Sequence, residues 1–195
     1  MATKSKSKSS AAVITPKGIA SYAFVWKPQP SMNPGQDPKY SITLIVPKKA
    51  DLTALKKAVT VAGKKKFGES YENMVKRNKL TLPFRDGDEE REGDELYKGK
   101  IFFSAKSSQK PGIVDEDRNP IDDEFDFYSG CKCRISVYAY GHDVNGNKGV
   151  AFALNNVQKL GDGERLSGRK AAEEEFEDAD NEDSESSDDD DDDLF

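Results

Sequence analysis

The chain has 195 residues, 34% of them charged, and a formal net charge of −6. One domain is the prior at that length. With a mean hydropathy of −0.80, no apolar run approaches the roughly 18 to 20 residues of a membrane span. Residues 1–10 hold no apolar segment of a signal peptide, so the reading is cytoplasmic.

In chain order, residues 1–10 read as a flexible basic arm. A strand is predicted over Ala11 to Trp26, broken at Pro16-Lys17-Gly18. Four prolines, a glycine and an Asn make residues 27–38 a loop. Lys39 to Val46 alternates, with Tyr40, Ile42, Leu44 and Val46 on one face, and Pro47 ends the strand. Asp51 is placed to cap a helix through about Lys66, with Leu52, Leu55, Val59 and Ala62 at helical spacing. A second short helix covers Glu69 to Arg77, and the Gly-, Asp- and Glu-rich stretch 85–99 reads as an exposed loop.

Three more strands are predicted, over Lys100 to Lys106, Cys131 to Gly141 and Val150 to Leu160. The last two flank Asn145-Gly146, a hairpin-turn signal. A long, mostly acidic connection spans residues 110–129. Five short strands with one or two inserted helices give a mainly β fold, an OB-fold-like five-stranded barrel, with disordered termini. An open α+β sheet is the alternative.

Charge is distributed unevenly along this plan. Residues 173–195 hold 15 acidic and no basic residues, so all 30 Lys and Arg fall before them against 21 acids. The body carries +9 and the tail −15, a basic surface joined to a polyanion mimic. The division is therefore a basic arm at 1–10, a nucleic-acid-binding domain at 11–165 and a disordered acidic tail at 166–195.

Candidate contacts lie on two strand faces. Cys131, Cys133, Ile135, Val137 and Ala139 suit a core, while Lys132, Arg134, Ser136, Tyr138 and Tyr140 point the other way. The middle strand repeats this, with Lys100, Phe102, Ser104 and Lys106 outward. Cations neutralise phosphates and rings stack on unpaired bases, so the interleaving suits single-stranded nucleic acid. The bland alternative is a solvated face whose tyrosines cover a loop. Tyr22, Phe24 and Trp26 share a face at spacing two; three large rings in a row more often build a core, and only Trp26 is carried as a candidate.

The tail ends in Asp188, Asp189, Asp190, Asp191, Asp192 and Asp193, then Leu194 and Phe195. An apolar pair beside a carboxylate run suits a partner pocket with a basic rim. Cys131 and Cys133 read as buried free thiols, and a single histidine leaves no triad or histidine-based metal cluster to nominate. Neither an enzyme nor a cofactor is expected.

Several segments share a pattern: Lys39-Tyr40-Ser41-Ile42-Thr43-Leu44-Ile45-Val46-Pro47-Lys48, Asp86-Gly87-Asp88, Tyr128-Ser129-Gly130, Tyr138 to Tyr140, Gly146-Asn147-Lys148-Gly149-Val150 and Leu154-Asn155-Asn156-Val157-Gln158. In this order, over roughly residues 12–160, they resemble the single-stranded-DNA-binding proteins of tailed bacteriophages. The resemblance implies an OB barrel that binds single strands without sequence preference in replication, recombination or repair. It also implies an acidic tail that recruits replication or recombination proteins and competes with DNA. An acidic-tailed chaperone or adaptor and an RNA-binding OB module are the rival readings, and self-association through a barrel edge is left open.

Overall fold

Period-two alternation dominates the chain, and strands carry most of it. The computed structural model describes residues 11–30, 35, 37–144 and 146–166. The arm 1–10 and the tail from 167, with Asp188 to Asp193, Leu194 and Phe195, lie outside the described residues. The elements are β1 (Val13–Ile14), β2 (Gly18–Gln29), β3 (Lys39–Pro47), α1 (Thr53–Phe67), α2 (Ser70–Lys76), β4 (Arg85–Asp86), α3 (Gly87–Glu90), β5 (Lys100–Ser107), β6 (Gly112–Val114), β7 (Lys132–Val144) and β8 (Asn147–Gly161).

The five long strands close on themselves in the order β2-β3-β5-β8-β7 and back to β2. Every pairing in this ring is antiparallel except β5 with β8. This is the five-stranded OB-like barrel that the strand pattern predicts, with α1 and α2 inserted between its second and third strands. Closure leaves the barrel strands without a long open edge.

Inward-facing side chains fill the barrel. Ala20, Val25, Ile42, Leu44, Val46, Phe103, Ala105, Ile135, Val137 and Phe152 are all essentially inaccessible. Phe84, Phe103 and Phe152 meet edge-to-face at centroid distances of 5.5 to 5.7 Å, the arrangement that ring quadrupoles favour. Cys131 and Cys133 are free and buried, as read, and desolvation pushes both thiols up from their ordinary range.

α1 forms with Leu55, Val59 and Ala62 as its buried face, but its cap position is the buried Leu52 and not Asp51, whose carboxylate one residue earlier accepts from the Thr53 N–H at 2.9 Å. Lys56, Lys57, Lys64, Lys65 and Lys66 stay on the exposed side. The β7–β8 hairpin pairs Val144 with Asn147, and Gly146 has φ +81°, the left-handed conformation that its turn position requires.

Two stretches depart from expectation. Residues 85–99 are an ordered strap containing β4 and α3, with Tyr97 only 2% exposed. The acidic connection 110–129 contributes β6, which pairs with β8. Neither carries an alternating pattern long enough to read.

Candidate nucleic-acid interface

A local irregularity in β2 decides which side chains face solvent. Ser21 pairs with Thr43 and Phe24 with Ser41, so three steps of β2 oppose two of β3. One residue is extra, and Tyr22 has φ +46°. A bulge reverses the inward and outward alternation of everything after it. Ala20 and Val25 therefore both point inward and are 0% exposed, although they lie five positions apart. Phe24 and Tyr22 are 37% and 51% exposed. Because of this bulge the predicted shared face of Tyr22, Phe24 and Trp26 looks outward rather than into the core. A non-glycine residue in that backbone region costs about 1–3 kcal/mol.

Strand register then assembles a row from five strands. Phe24 pairs with Ser41, Ser41 with Lys106, Lys106 with Ala153 and Ala153 with Tyr138. Four inter-strand steps span about 19 Å. Strands in a small barrel are strongly tilted, so such a row runs obliquely to the barrel axis. Beside it lie Thr43 and Ser104, joined Oγ1 to Oγ at 2.7 Å, and Ala151, which pairs with the half-exposed Tyr140. Small and hydroxyl side chains thus form a floor between aromatic walls, with the exposed Lys106 in the middle.

Trp26 continues the β2 wall. It is half-buried, its Nε1 donates to the Phe127 carbonyl at 2.9 Å, and Lys110 Nζ stands 5.1 Å from its ring. The pinned ring borders an open cleft lined also by Lys27, Asp122, Glu124 and Phe125.

The other candidates separate. Lys132 and Arg134 are exposed on β7, but Arg134 Nε donates to Gln158 Oε1 at 2.7 Å beside Ile14 and Val114, away from Lys106. Lys100 is drawn to the strap, where its ammonium donates to the Leu96 carbonyl at 2.5 Å. Phe102 is a correction. It projects outward as expected, yet is 5% exposed, because Tyr97 crosses it edge-to-face at 5.0 Å and Ile45, Ile19 and Leu96 pack around it.

The strap is fastened at its base. Lys48 Nζ reaches Asp86 at 2.7 Å and Asp88 at 2.8 Å, and the Gly99 N–H donates to Asp88 Oδ1 at 2.7 Å. Hydrogen bonding to Asp86, then to Asp88, raises the Lys48 pKa to about 12, while the bonds from Lys48 and Gly99 hold the Asp88 carboxyl below its usual range. A carboxyl lowered in the folded state contributes above its unfolded pKa and loses that contribution as pH falls through the folded value. Protection of the Gly99 amide, corrected for intrinsic exchange, should therefore fall when pH drops below the ordinary Asp value of 3.8. It should also be partly lost in Asp88→Ala at neutral pH. Equal protection at pH 6 and pH 3 would mean that other contacts hold the strap.

A family model described as "Enterobacter phage Enc34, ssDNA-binding protein" matches residues 11–189. The chain belongs to this family. The fold agrees: the single-stranded-DNA-binding protein from bacteriophage Enc34 in complex with ssDNA superposes with a TM-score of 0.67 at 23% identity, over 80% of this chain and 89% of that one. Another structure of the Enc34 protein gives 0.64 at 22% identity, over 82% and 86%. The gp2.5 single-stranded-DNA-binding protein encoded by bacteriophage T7 gives 0.59 at 15% identity, over 87% and 96%. None of the curated proteins matches the chain.

Sequence reasoning carries only Trp26 of these three rings as a candidate and leaves Tyr22 and Phe24 open between core and contact. Glycine is the usual marker of a bulge in left-handed conformation, and the segment Ser21-Tyr22-Ala23-Phe24 contains none.

Proposed function

We propose that this protein binds single-stranded DNA without sequence preference along the oblique row, as a phage-encoded factor of replication, recombination or repair in the host cytoplasm. The observation that carries the reading is the row Phe24–Ser41–Lys106–Ala153–Tyr138, which sets rings on both sides of a cation over a floor of small side chains. Phosphates are captured electrostatically and bases stack on the rings, a mode that tolerates any sequence. Residues 11–165 act as the binding domain.

The acidic segment completes the mechanism. Fifteen carboxylates in residues 173–195, tethered to a body of +9, compete with DNA for the same cationic surface at high effective concentration. The Asp188–Asp193 run with Leu194 and Phe195 offers replication or recombination enzymes a docking peptide when DNA displaces it.

A titration of the intact chain and of a chain lacking residues 173–195 against single-stranded DNA, duplex DNA and RNA of equal length, across a salt series, tests this. Single strands should bind more tightly than duplex, with log K falling linearly against log salt. Removing the tail should tighten binding, most at low salt, where screening is weakest. Preference for duplex or no binding would refute the reading, and a tail-less chain no tighter than the intact one would refute the competition.

A further inference from the structure

We propose that the 85–99 strap adds a base-stacking subsite to the row, with Arg91 as the positioning residue that holds the Tyr22 ring for an unpaired nucleobase. This rests on the single-strand-binding reading above. Tyr22 keeps a left-handed backbone conformation although half its surface is exposed, so burial does not explain its place. What faces the ring is Arg91, whose guanidinium lies 5.8 Å from the Tyr22 centroid and 5.2 Å from that of Tyr97. Both distances are within cation–π range. Among the described residues Arg91 makes no ion pair, and it is itself exposed.

Arg91 is held on a fixed platform. Tyr97 Oη shares a hydrogen bond with Ser21 Oγ at 3.1 Å, which ties the strap to the strand residue next to Tyr22. The Arg91 N–H donates to the Gly87 carbonyl at 3.0 Å. At Gly87 a Cβ would sit 2.1 Å from the Tyr97 carbonyl oxygen, so the two arms of the strap approach as closely as backbones can.

The chemistry of the strap indicates the ligand. Around Arg91, Asp88, Glu90 and Glu95 are paired with Lys48, Arg85 and Lys98, while Glu89, Glu92 and Asp94 make no ion pair among the described residues and render this end of the interface unfavourable for phosphate. A neutral aromatic base suffers no such repulsion. It can lie on a tyrosine ring that a cation supports and polarises. Arg91 therefore acts through Tyr22 rather than on the DNA backbone.

The test is a double-mutant cycle on the full chain with a single-stranded oligonucleotide, read as affinity and as salt slope. Tyr22→Gly suits φ +46° and removes only the ring, so its melting temperature should be no lower than that of the parent. It should bind at least about fivefold more weakly, whereas Tyr22→Phe should bind as the parent does. Arg91→Gln should weaken binding about two- to fivefold with an unchanged salt slope, and should cost nothing further in the Tyr22→Gly chain. Parent-like binding by Tyr22→Gly, full additivity of the two losses, or a salt slope reduced by about 0.7 in Arg91→Gln, the mark of a phosphate contact, would each overturn the subsite. A parent chain that ignores single strands would instead overturn the function on which the subsite depends.

Discussion

Replacing Phe24 and Tyr138 together by alanine should lower affinity for a single-stranded oligonucleotide about thirtyfold or more. Stacking of one base on one ring is worth about 1–3 kcal/mol, and about 1.4 kcal/mol is a factor of ten. The two positions stand at opposite ends of one row, four strand spacings apart. At that separation the single losses should add. Neither ring neutralises a phosphate, so the salt slope should not move. Lys106→Met should do the reverse, with a modest loss of affinity and a slope shallower by about 0.7. Equilibrium titrations at four or five salt concentrations separate the two behaviours, and a double mutant that binds like the parent would remove the row from the interface.

Inserting one alanine after Tyr22 should be more damaging still, and to the fold rather than to binding. The strand accommodates one extra residue at Tyr22, and a second shifts everything after it by one position. Val25 would then leave the core, and Phe24 and Trp26 would be driven into a barrel already filled by Phe103 and Phe152. Overpacking and lost burial together reach the exceptional class above about 4–5 kcal/mol, against a total stability of about 5–15 kcal/mol for an ordinary domain. Thermal unfolding by circular dichroism should show the insertion unfolded or melting far below the parent, while Tyr22→Gly melts normally. An insertion chain with a parent-like transition would mean that the strand absorbs a second extra residue as it does the first.

These expectations show where the sequence was legible. Clean alternation in Lys39 to Val46 and in residues 131–141 marked the barrel strands, and helical spacing of Leu52, Leu55, Val59 and Ala62 marked α1, because each buries one face along its length. Charge was legible too, since adding up carboxylates needs no coordinates. The interface was legible only in part. Lys106, Tyr138 and Tyr140 share a solvated side with Phe24, but Phe24 stayed open between core and DNA contact since nothing in Ser21-Tyr22-Ala23-Phe24 announces a bulge. Phe102 failed for a different reason. Its outward direction followed from the strand period, whereas its cover, Tyr97, comes from a segment whose acidic composition reads as loop. Burial by a distant residue is a tertiary fact, and the local period of a strand carries no trace of it.

The most direct test of the account is photo-crosslinking of the intact protein to a single-stranded oligonucleotide carrying a photoreactive pyrimidine, with mass-spectrometric mapping of the attached peptides. Crosslinks should fall on β2, at Tyr22, Phe24 and Trp26, and on β7, at Tyr138 and Tyr140, and should disappear as salt is raised. Crosslinks confined to the lysine-rich face of α1, or to the surface around Ile14, Val114 and Arg134, would contradict it.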